Sequence, residues 1–517
     1  MPVPTTRAIS TASEKAPAAL SSRPLIGTDS AACVCTLAQK LRYAVGCLAV
    51  LLLVLWDYKI AFTVVNFVIC GFYAAVIGYK LLCVLLSVWR SPEVRIPPEE
   101  ANGLAATDLP VYTVLVPLYR EANVVTQIVD ALTRMDYPGH RLDVKLLVEP
   151  DDPETAAACR QASLPPNWEV VVVPAGVPRT KPRACNCGLA QARGDLLVIY
   201  DAEDRPEPDQ LRKAVAAFRK TPGDVICLQC KLNYYNADQN WLTRFFTLEY
   251  TAWFDLFLPG LHRLNMPIPL GGTSNHFRVE ALRRLGGWDA YNVTEDCDLG
   301  IRIAEAGYRT MILDSTTWEE ANSRLWNWIR QRSRWVKGYM QTHLVHTRHP
   351  LALWRRLGLR GGLSVLLTVG GLAAVLLLNP FYWLVMLLWL CIRWRLVYFD
   401  FTDATMQHYT TWSKLSWFFF AAAVMLFAAN GVFVLINAVA CSRRRQWRLL
   451  PYALLSPLYW VLMSIGAWKG FLQLFWRPHH WEKTEHGLTV DPRTAVTSTA
   501  GGQVKLTTLG TKQDGVN

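Results

Sequence analysis

Apolar and polar positions divide this chain into stretches of three kinds. The first kind carries no charge at all. Tyr43–Trp56 and Ile60–Tyr79 are two such runs, separated by Asp57-Tyr-Lys59. A helix needs roughly 20 apolar residues to cross a bilayer. The second run meets that length and the first falls short. The pattern predicts a hairpin of two membrane helices over 42–90, with one crossing plus an interfacial helix as the alternative. Uncharged runs return at Gly361–Ile392, Leu415–Cys441 and Leu449–Trp468, predicting membrane helices over 360–476.

Between these blocks the pattern changes. Short β-rich runs at Val111–Leu118, Val144–Val148, Glu169–Pro174, Asp195–Asp201 and Val225–Leu232 alternate with helical stretches at 121–135, 153–163 and 184–192. Such alternation predicts an α/β domain over 105–318 with a mainly parallel sheet. Ligands of such sheets bind at the carboxyl ends of the strands.

Residues 319–358 form the third kind. Leu325, Trp328, Ile329, Trp335, Val336, Tyr339 and Met340 recur near helical spacing, with Arg324, Arg330, Arg332, Arg334 and Lys337 at other positions. A basic, tryptophan-rich amphipathic helix suits the membrane interface. Residues 1–41 are rich in Ser, Thr, Ala and Pro and lack the apolar core of a signal peptide. They read as a disordered cytoplasmic tail, as does 477–517 apart from one motif taken up below.

Composition agrees with a soluble body between membrane segments. Of the 517 residues 52% are hydrophobic and 18% charged, and the net charge is +12. That charge fits a positive-inside bias around membrane helices, with anionic lipid headgroups and nucleotide substrates as further partners, and nucleic acid is not among them. Five of the thirteen cysteines, Cys47, Cys70, Cys83, Cys391 and Cys441, lie in apolar runs. Cys185, Cys187, Cys227 and Cys230 have the spacing of a zinc quartet. Strand alternation, however, puts Cys227 and Cys230 on opposite faces, which favours reduced thiols.

Three acidic clusters fall just after strands or before a helix: Glu149-Pro-Asp-Asp-Pro-Glu154, Asp201-Ala-Glu-Asp-Arg-Pro206 and Thr294-Glu-Asp296. One acidic loop alone is commonly solvated surface. Carboxylates one residue apart at a strand end also hold a hard divalent cation, which neutralises a diphosphate leaving group. Gln331-Arg-Ser-Arg-Trp335 adds guanidinium forks for phosphate and a flat indole for a sugar or base, although interfacial anchoring explains it equally well.

The ordered set Val116-Pro-Leu-Tyr-Arg-Glu121, Asp151-Asp152, Asp201-Ala-Glu203, Thr294-Glu-Asp296 and Gln331-Arg-Ser-Arg-Trp335 resembles the family 2 processive glycosyltransferases, of which bacterial cellulose synthase and hyaluronan synthase are relatives. The resemblance implies a GT-A type nucleotide-sugar-binding domain inserted between transmembrane helices. It implies an inverting transfer from a nucleotide-sugar, a UDP-hexose, to a growing β-linked polysaccharide at the cytoplasmic face of the cell membrane. Single-sugar transfer to a lipid carrier and a non-catalytic channel are the alternatives.

By the same resemblance, Tyr119, Glu121 and Asp151 or Asp152 would hold the uridine end. Lys181 and Asn186 would meet the diphosphate. Asp201 and Glu203, with Asp204 adjoining, would bind Mg²⁺ or Mn²⁺. Asp296 would be the general base, with Glu295, Gly272 and Thr273 lining the acceptor site. Gln331, Arg334 and Trp335 would bind diphosphate and acceptor. Trp481-Glu-Lys-Thr-Glu-His-Gly487 resembles the segment that covers the nucleotide in these synthases, through Trp481, Thr484 and His486.

That last motif requires an even number of crossings after the catalytic domain. Splitting 361–398 at Asn379-Pro380 gives four, the arrangement preferred here, but places Arg443-Arg-Arg-Gln-Trp-Arg448 outside, against the positive-inside rule. A single long span repairs the arginines and exports Trp481 and His486.

Overall fold

Eight strands form one mixed sheet in the computed structural model, which describes residues 29–398, 420, 424, 425, 427–485 and 487. They are β1 (Tyr112–Leu118), β2 (Leu142–Val148), β3 (Trp168–Val172), β4 (Leu196–Ile199), β5 (Arg205–Pro206), β6 (Val225–Tyr234), β7 (Asn275–Arg278) and β8 (Arg309–Glu319). Their order is β3-β2-β1-β4-β7-β6-β8-β5. The pairs β1–β2, β2–β3, β1–β4 and β6–β8 are parallel. β7 lies antiparallel to both β4 and β6, and β5 to β8. The sheet is therefore mixed rather than mainly parallel.

Apolar residues alternate to fill a core on each face. Leu115, Leu147, Leu197 and Cys227 enter one, with Cys185. Val114, Val116, Leu146, Val198 and Cys230 enter the other. Cys227 and Cys230 thus lie in different layers, and among the described residues no cluster of three metal-ligating side chains forms.

At the amino end, residues 1–28 lie outside the described region, while the tail expected over 1–41 is ordered from Asp29 onward. Ser30 Oγ and the Ala31 amide donate to Asp289 at 2.7 and 2.6 Å. The first helix is longer than its uncharged stretch: it spans Leu37–Trp56, capped by Thr36 and Gln39. Asp57 alone breaks the chain, accepting from Lys59 and Ile60 to start the helix Tyr58–Trp89.

Two expectations about the C-terminal helices fail. The chain does not break at Asn379-Pro380, since Pro380 lies inside the helix Gly371–Tyr398. Its turn is supported from outside: Asn379 accepts from Tyr73 at 2.6 Å, and the Trp468 indole donates to the Leu377 carbonyl at 3.2 Å. A proline is tolerated in a spanning helix when neighbours supply such partners. Nor is Ser456–Trp476 a separate departure from the catalytic body. Tyr459, near its start, bonds Glu249, and Gln473, near its end, faces Ser333 and Lys337. It runs beside the helix Leu325–His346, held close by glycines: a Cβ on Gly470 would stand 2.5 Å from the Ser333 carbonyl oxygen. Arg443 and Arg444 also turn to the catalytic side, pairing with Glu93 and Asp255 at 3.6 and 2.6 Å.

The tight helix contact gives a test. Gly470→Val forces the two backbones apart and is expected to cost about 1–3 kcal/mol, measured as a lower Tm in detergent. Gly431→Val, where nothing lies within 4 Å, serves as the tolerant control.

The helix Leu325–His346 departs from the surface amphipathic helix expected. Arg332 and Lys337 are buried within it, whereas Arg324 and Arg330 stay exposed. Its cations serve the catalytic body and the C-terminal segment.

Candidate active site

The loop after β1 turns sharply at Arg120, whose φ is 53°. That turn aims Tyr119 and Glu121 toward β2. Tyr119 Oη donates to Asp151 at 3.4 Å, and Arg179 pairs with the same carboxylate. Asp152 has another task. It caps the helix Pro153–Gln161 through the Thr155 amide and accepts from the Arg120 amide. Burial alone would raise its pKa, but these donors hold it below the usual range. Of the two aspartates, Asp151 is the one available to a ligand.

β4 delivers Asp201, and the helix Lys181–Ala190 delivers Lys181 at its first turn. Lys181 Nζ pairs with Asp201 and donates to the Gly272 carbonyl at 2.7 Å. Burial would lower the ammonium, yet Asp201 and Glu295 hold it above its ordinary value. Asn186 is not a diphosphate contact. Its amide is spent on the Trp288 backbone, donating at 2.7 Å and accepting at 2.9 Å.

Asp204 likewise leaves the metal set. It accepts from the Asp201 amide at 2.8 Å and from the Thr273 hydroxyl, inside the loop. Burial, with Asp201 and Glu203 beside it, pushes its carboxyl well up. Asp201 and Glu203 line the cavity and Asp204 does not. Two oxygen ligands of this kind, completed by diphosphate and water oxygens, fit Mg²⁺ or Mn²⁺.

Asp296 stands in the first turn of the helix Glu295–Glu305. One carboxylate oxygen accepts from the Cys297 amide at 2.7 Å. The other lies 3.4 Å from where a Cβ on Gly272 would sit, which places the Gly272 loop in contact with this carboxylate. Burial raises Asp296 to about 6, and burial together with the Asp296 charge raises Glu295 to about 8. Both carboxyls are thus held above their ordinary values, Asp296 the less so of the two. Thr273, from the same loop as Gly272, ties that loop to β4, its hydroxyl lying 3.0 Å from the Ile199 carbonyl and sharing its one proton between that oxygen and Asp204.

The helix Leu325–His346 closes the opposite wall. Gln331 Oε1 and Arg334 Nε are buried without a protein partner, as is Thr484 Oγ1 on the segment that follows the last helix. All three residues line the cavity. Orphaned polar atoms there are what a polar ligand would satisfy. Trp335 stacks on Tyr250 at 6.1 Å, and the Arg334 guanidinium lies 4.2 Å over the Trp481 ring. Asn327 exchanges two bonds with the Glu485 backbone at 3.0 and 3.2 Å, and the Gly487 amide donates to Glu320 at 2.6 Å. The segment therefore lies across the mouth of the site. His486 falls outside the described residues.

Sequence reasoning missed several groups. Lys483 donates to the Arg120 carbonyl at 3.0 Å and faces Glu121 at 3.5 Å, bridging the C-terminal segment to the β1 loop. Glu319, at the end of β8, points a buried oxygen without a hydrogen-bond partner toward Asp201, Glu203 and Asp204, and burial with their charge raises its pKa well above normal. Lys483 sits inside the motif already singled out and was within reach. Nothing local marks Glu319.

One cavity of about 700 Å³ joins these groups. It runs from Tyr119, Asp201 and Asp296 past Trp335 to Tyr73, Asn379 and Phe433 among the apolar helices.

Residues 110–338 match the family model described as glycosyltransferase like family 2. The chain is 28% identical over 236 residues to a probable glycosyltransferase of Bacillus subtilis, covering 45% of this chain and 56% of that one. It is 29% identical over 266 residues to the beta-monoglucosyldiacylglycerol synthase of Synechocystis sp., covering 49% and 54%. It is 24% identical over 270 residues to glucomannan 4-beta-mannosyltransferase 2 of Arabidopsis thaliana, covering 48% and 49%. The chain thus spans about half the length of these relatives. The strand ends and acidic loops described above fall within the matched segment, so residues 110–338 form a domain similar to the glycosyltransferase like family 2.

Proposed function

We propose that the whole chain is an inverting, membrane-embedded enzyme. It would move a hexose from a UDP-sugar to a growing β-linked polysaccharide and pass the product between its helices. The observation that carries this reading is the single cavity running from the carboxylates into the apolar helices. Among the described residues three helices are long and apolar enough to cross a membrane, and we take the shorter apolar helix Phe427–Arg443 as a fourth crossing in place of the bent pair Trp447–Leu454 and Ser456–Trp476. We place two crossings before the catalytic domain and two after it, Pro350–Leu384 outward and Phe427–Arg443 back. The helix Ser456–Trp476 then lies along the cytoplasmic face. This placement satisfies both the arginines and the Trp481 segment, which the four-crossing arrangement could not.

In the proposed reaction, Asp296 takes the proton of an acceptor hydroxyl. The freed oxygen attacks the anomeric carbon from the face away from the nucleotide. The bond to the diphosphate breaks as the new bond forms, so an α-linked donor gives a β-linked product. Lys181 and Arg334 offer positive charge where the diphosphate departs. Asp201 and Glu203 would hold a divalent cation, which supplies further neutralisation of that leaving group. The C-terminal segment excludes water, so that acceptor rather than water is glycosylated.

A second reading is transfer of one sugar to a lipid. The Synechocystis relative bears the name of a diacylglycerol-glycosylating enzyme, and a cavity opening among apolar helices also admits a lipid acceptor. Incubating the reconstituted protein with a panel of nucleotide-sugars tests both. Nucleotide release with a polymeric product supports the first reading and a glycolipid product the second, whereas no release from any donor sinks both.

Metal removal is the companion test. Activity is expected to vanish in chelator and return with Mg²⁺ or Mn²⁺. Glu203→Gln should raise the cation concentration needed for half-maximal rate by about tenfold or more, because affinity follows ligand charge and number. Full activity in verified metal-free buffer would remove this role.

A further inference from the structure

One cation in the cavity has no part in the chemistry above. Lys80 lies well inside the helix Tyr58–Trp89, nine residues before its end, and lines the cavity among the apolar helices. Its ammonium stands 5.8, 5.5 and 4.8 Å from the ring centres of Trp253, Phe257 and Phe433. Among the described residues no hydrogen bond or ion pair reaches it. The carboxylate that acts on it electrostatically, Glu249, is already engaged. Arg332 grips both Glu249 oxygens at 2.7 and 2.5 Å, and Tyr459 donates to it at 2.7 Å. Glu249 thus spends its hydrogen bonds on Arg332 and Tyr459 and acts on Lys80 only from a distance, so among the described residues no carboxylate pairs directly with this ammonium.

An ionisable side chain at membrane depth is costly and marks a functional site by default. Aromatic faces offset part of that cost, but they supply no anion. The surrounding lining is mixed: the amides of Asn379, Asn430 and Asn437 lie among aromatic rings and aliphatic side chains such as Leu376 and Ile436. Amides and aromatic faces together suit a hydrated sugar chain better than an acyl chain.

We propose that Lys80 is a specificity-determining residue that selects a saccharide chain bearing carboxylates, a β-linked uronic acid polymer, over a neutral one. The proposal rests on the reading of this cavity as the path of the acceptor chain. Each uronate passing the cage would meet the ammonium at one point, with the three rings holding the lysine in place between sugars. A fixed cation desolvated by aromatic walls discriminates charge more strongly than one in water.

The experiment measures binding of two matched oligomers to the full chain in lipid nanodiscs: the β-1,4-linked mannuronate hexamer and neutral β-1,4-mannohexaose. The wild-type protein is expected to bind the uronate about tenfold more tightly, a preference that weakens as salt rises. Lys80→Met should bring the ratio near one, and Lys80→Arg should keep it. Uridine diphosphate binding, which lies outside this part of the cavity, should be equal in all three proteins and reports that each is folded. Equal affinity for the two oligomers in the wild type, or a preference that survives Lys80→Met, overturns the proposal. Nucleotide release from a sugar donor is scored separately. Release without a uronate preference removes the Lys80 role alone, and a Lys80-dependent preference without release keeps it while removing the transferase reading.

Discussion

Replacing Asp296 by asparagine is expected to reduce sugar transfer by about 10²–10⁴-fold, with uridine diphosphate binding unchanged. The amide keeps the size of the carboxylate and can still accept from the Cys297 amide, so the helix start at Glu295 should persist. What it loses is the capacity to take a proton. Asp296 does not contact the Tyr119–Asp151 end of the site, so nucleotide affinity is the internal control. The pH profile adds an independent check. Burial holds the Asp296 pKa up at about 6, and the base works in its deprotonated form. Activity of the wild-type enzyme should therefore be present above that value and fall as pH drops through it, rather than persisting down to the usual aspartate range near 4. A flat profile from pH 7 to pH 5, or near-normal turnover of the variant, would assign the base elsewhere. Glu295 is the neighbour to separate: Glu295→Gln should retain most activity, because burial next to Asp296 already keeps that carboxyl protonated near neutrality.

The parts of this protein that were legible beforehand are those whose signal is local. The five anticipated strands are dense in Val, Leu and Ile, and each appears with boundaries shifted by at most two residues. The two-residue β5, together with β7 and β8, was not anticipated. β7 is only four residues, and β8 mixes Arg, Asp, Ser and Thr into its length, since both are set by pairing with β6 rather than by composition. The carboxylates Asp201, Glu203 and Asp296 were found because acidic loops at strand and helix ends have both a sequence pattern and a chemical reason. Asp204 and Asn186 share those patterns, but Asp204 is buried off the cavity lining with one oxygen engaged by Thr273, and the Asn186 amide is engaged by the Trp288 backbone, partners far along the chain. The same distance in sequence hid Lys80 and Glu249. The topology puzzle arose similarly. Hydropathy marks Leu449–Trp468 as apolar, but only the contacts of Tyr459 with Arg332, of Gly470 with Ser333 and of Gln473 with Lys337 reveal that the helix Ser456–Trp476 packs along the helix Leu325–His346.

The second large effect is expected at Arg334. Arg334→Ala should lower turnover by about 10²–10³-fold, the usual loss when one preorganised donor to developing charge is removed. The guanidinium is buried, faces Asp201, Glu203, Glu295 and Asp296, and retains an Nε without a protein partner. A cation held in an acidic cavity with donors to spare is organised for an anion that arrives, here a diphosphate. It is also the platform on which Trp481 rests, 4.2 Å away, so two functions meet in one side chain. Two variants separate them. Arg334→Lys keeps the charge but loses both the fork and the flat face. Trp481→Ala keeps the guanidinium and removes only the cover. If charge on the leaving group dominates, Arg334→Lys should recover a measurable part of the rate, and Trp481→Ala should mainly increase hydrolysis of the donor relative to transfer. If closure dominates, Arg334→Lys and Trp481→Ala should both lose transfer to the same extent as Arg334→Ala, and donor hydrolysis should rise in all three. Arg334→Ala with wild-type turnover would leave the diphosphate to Lys181 and the metal alone. That outcome would refute the role of Gln331-Arg-Ser-Arg-Trp335 as the wall that receives the leaving group.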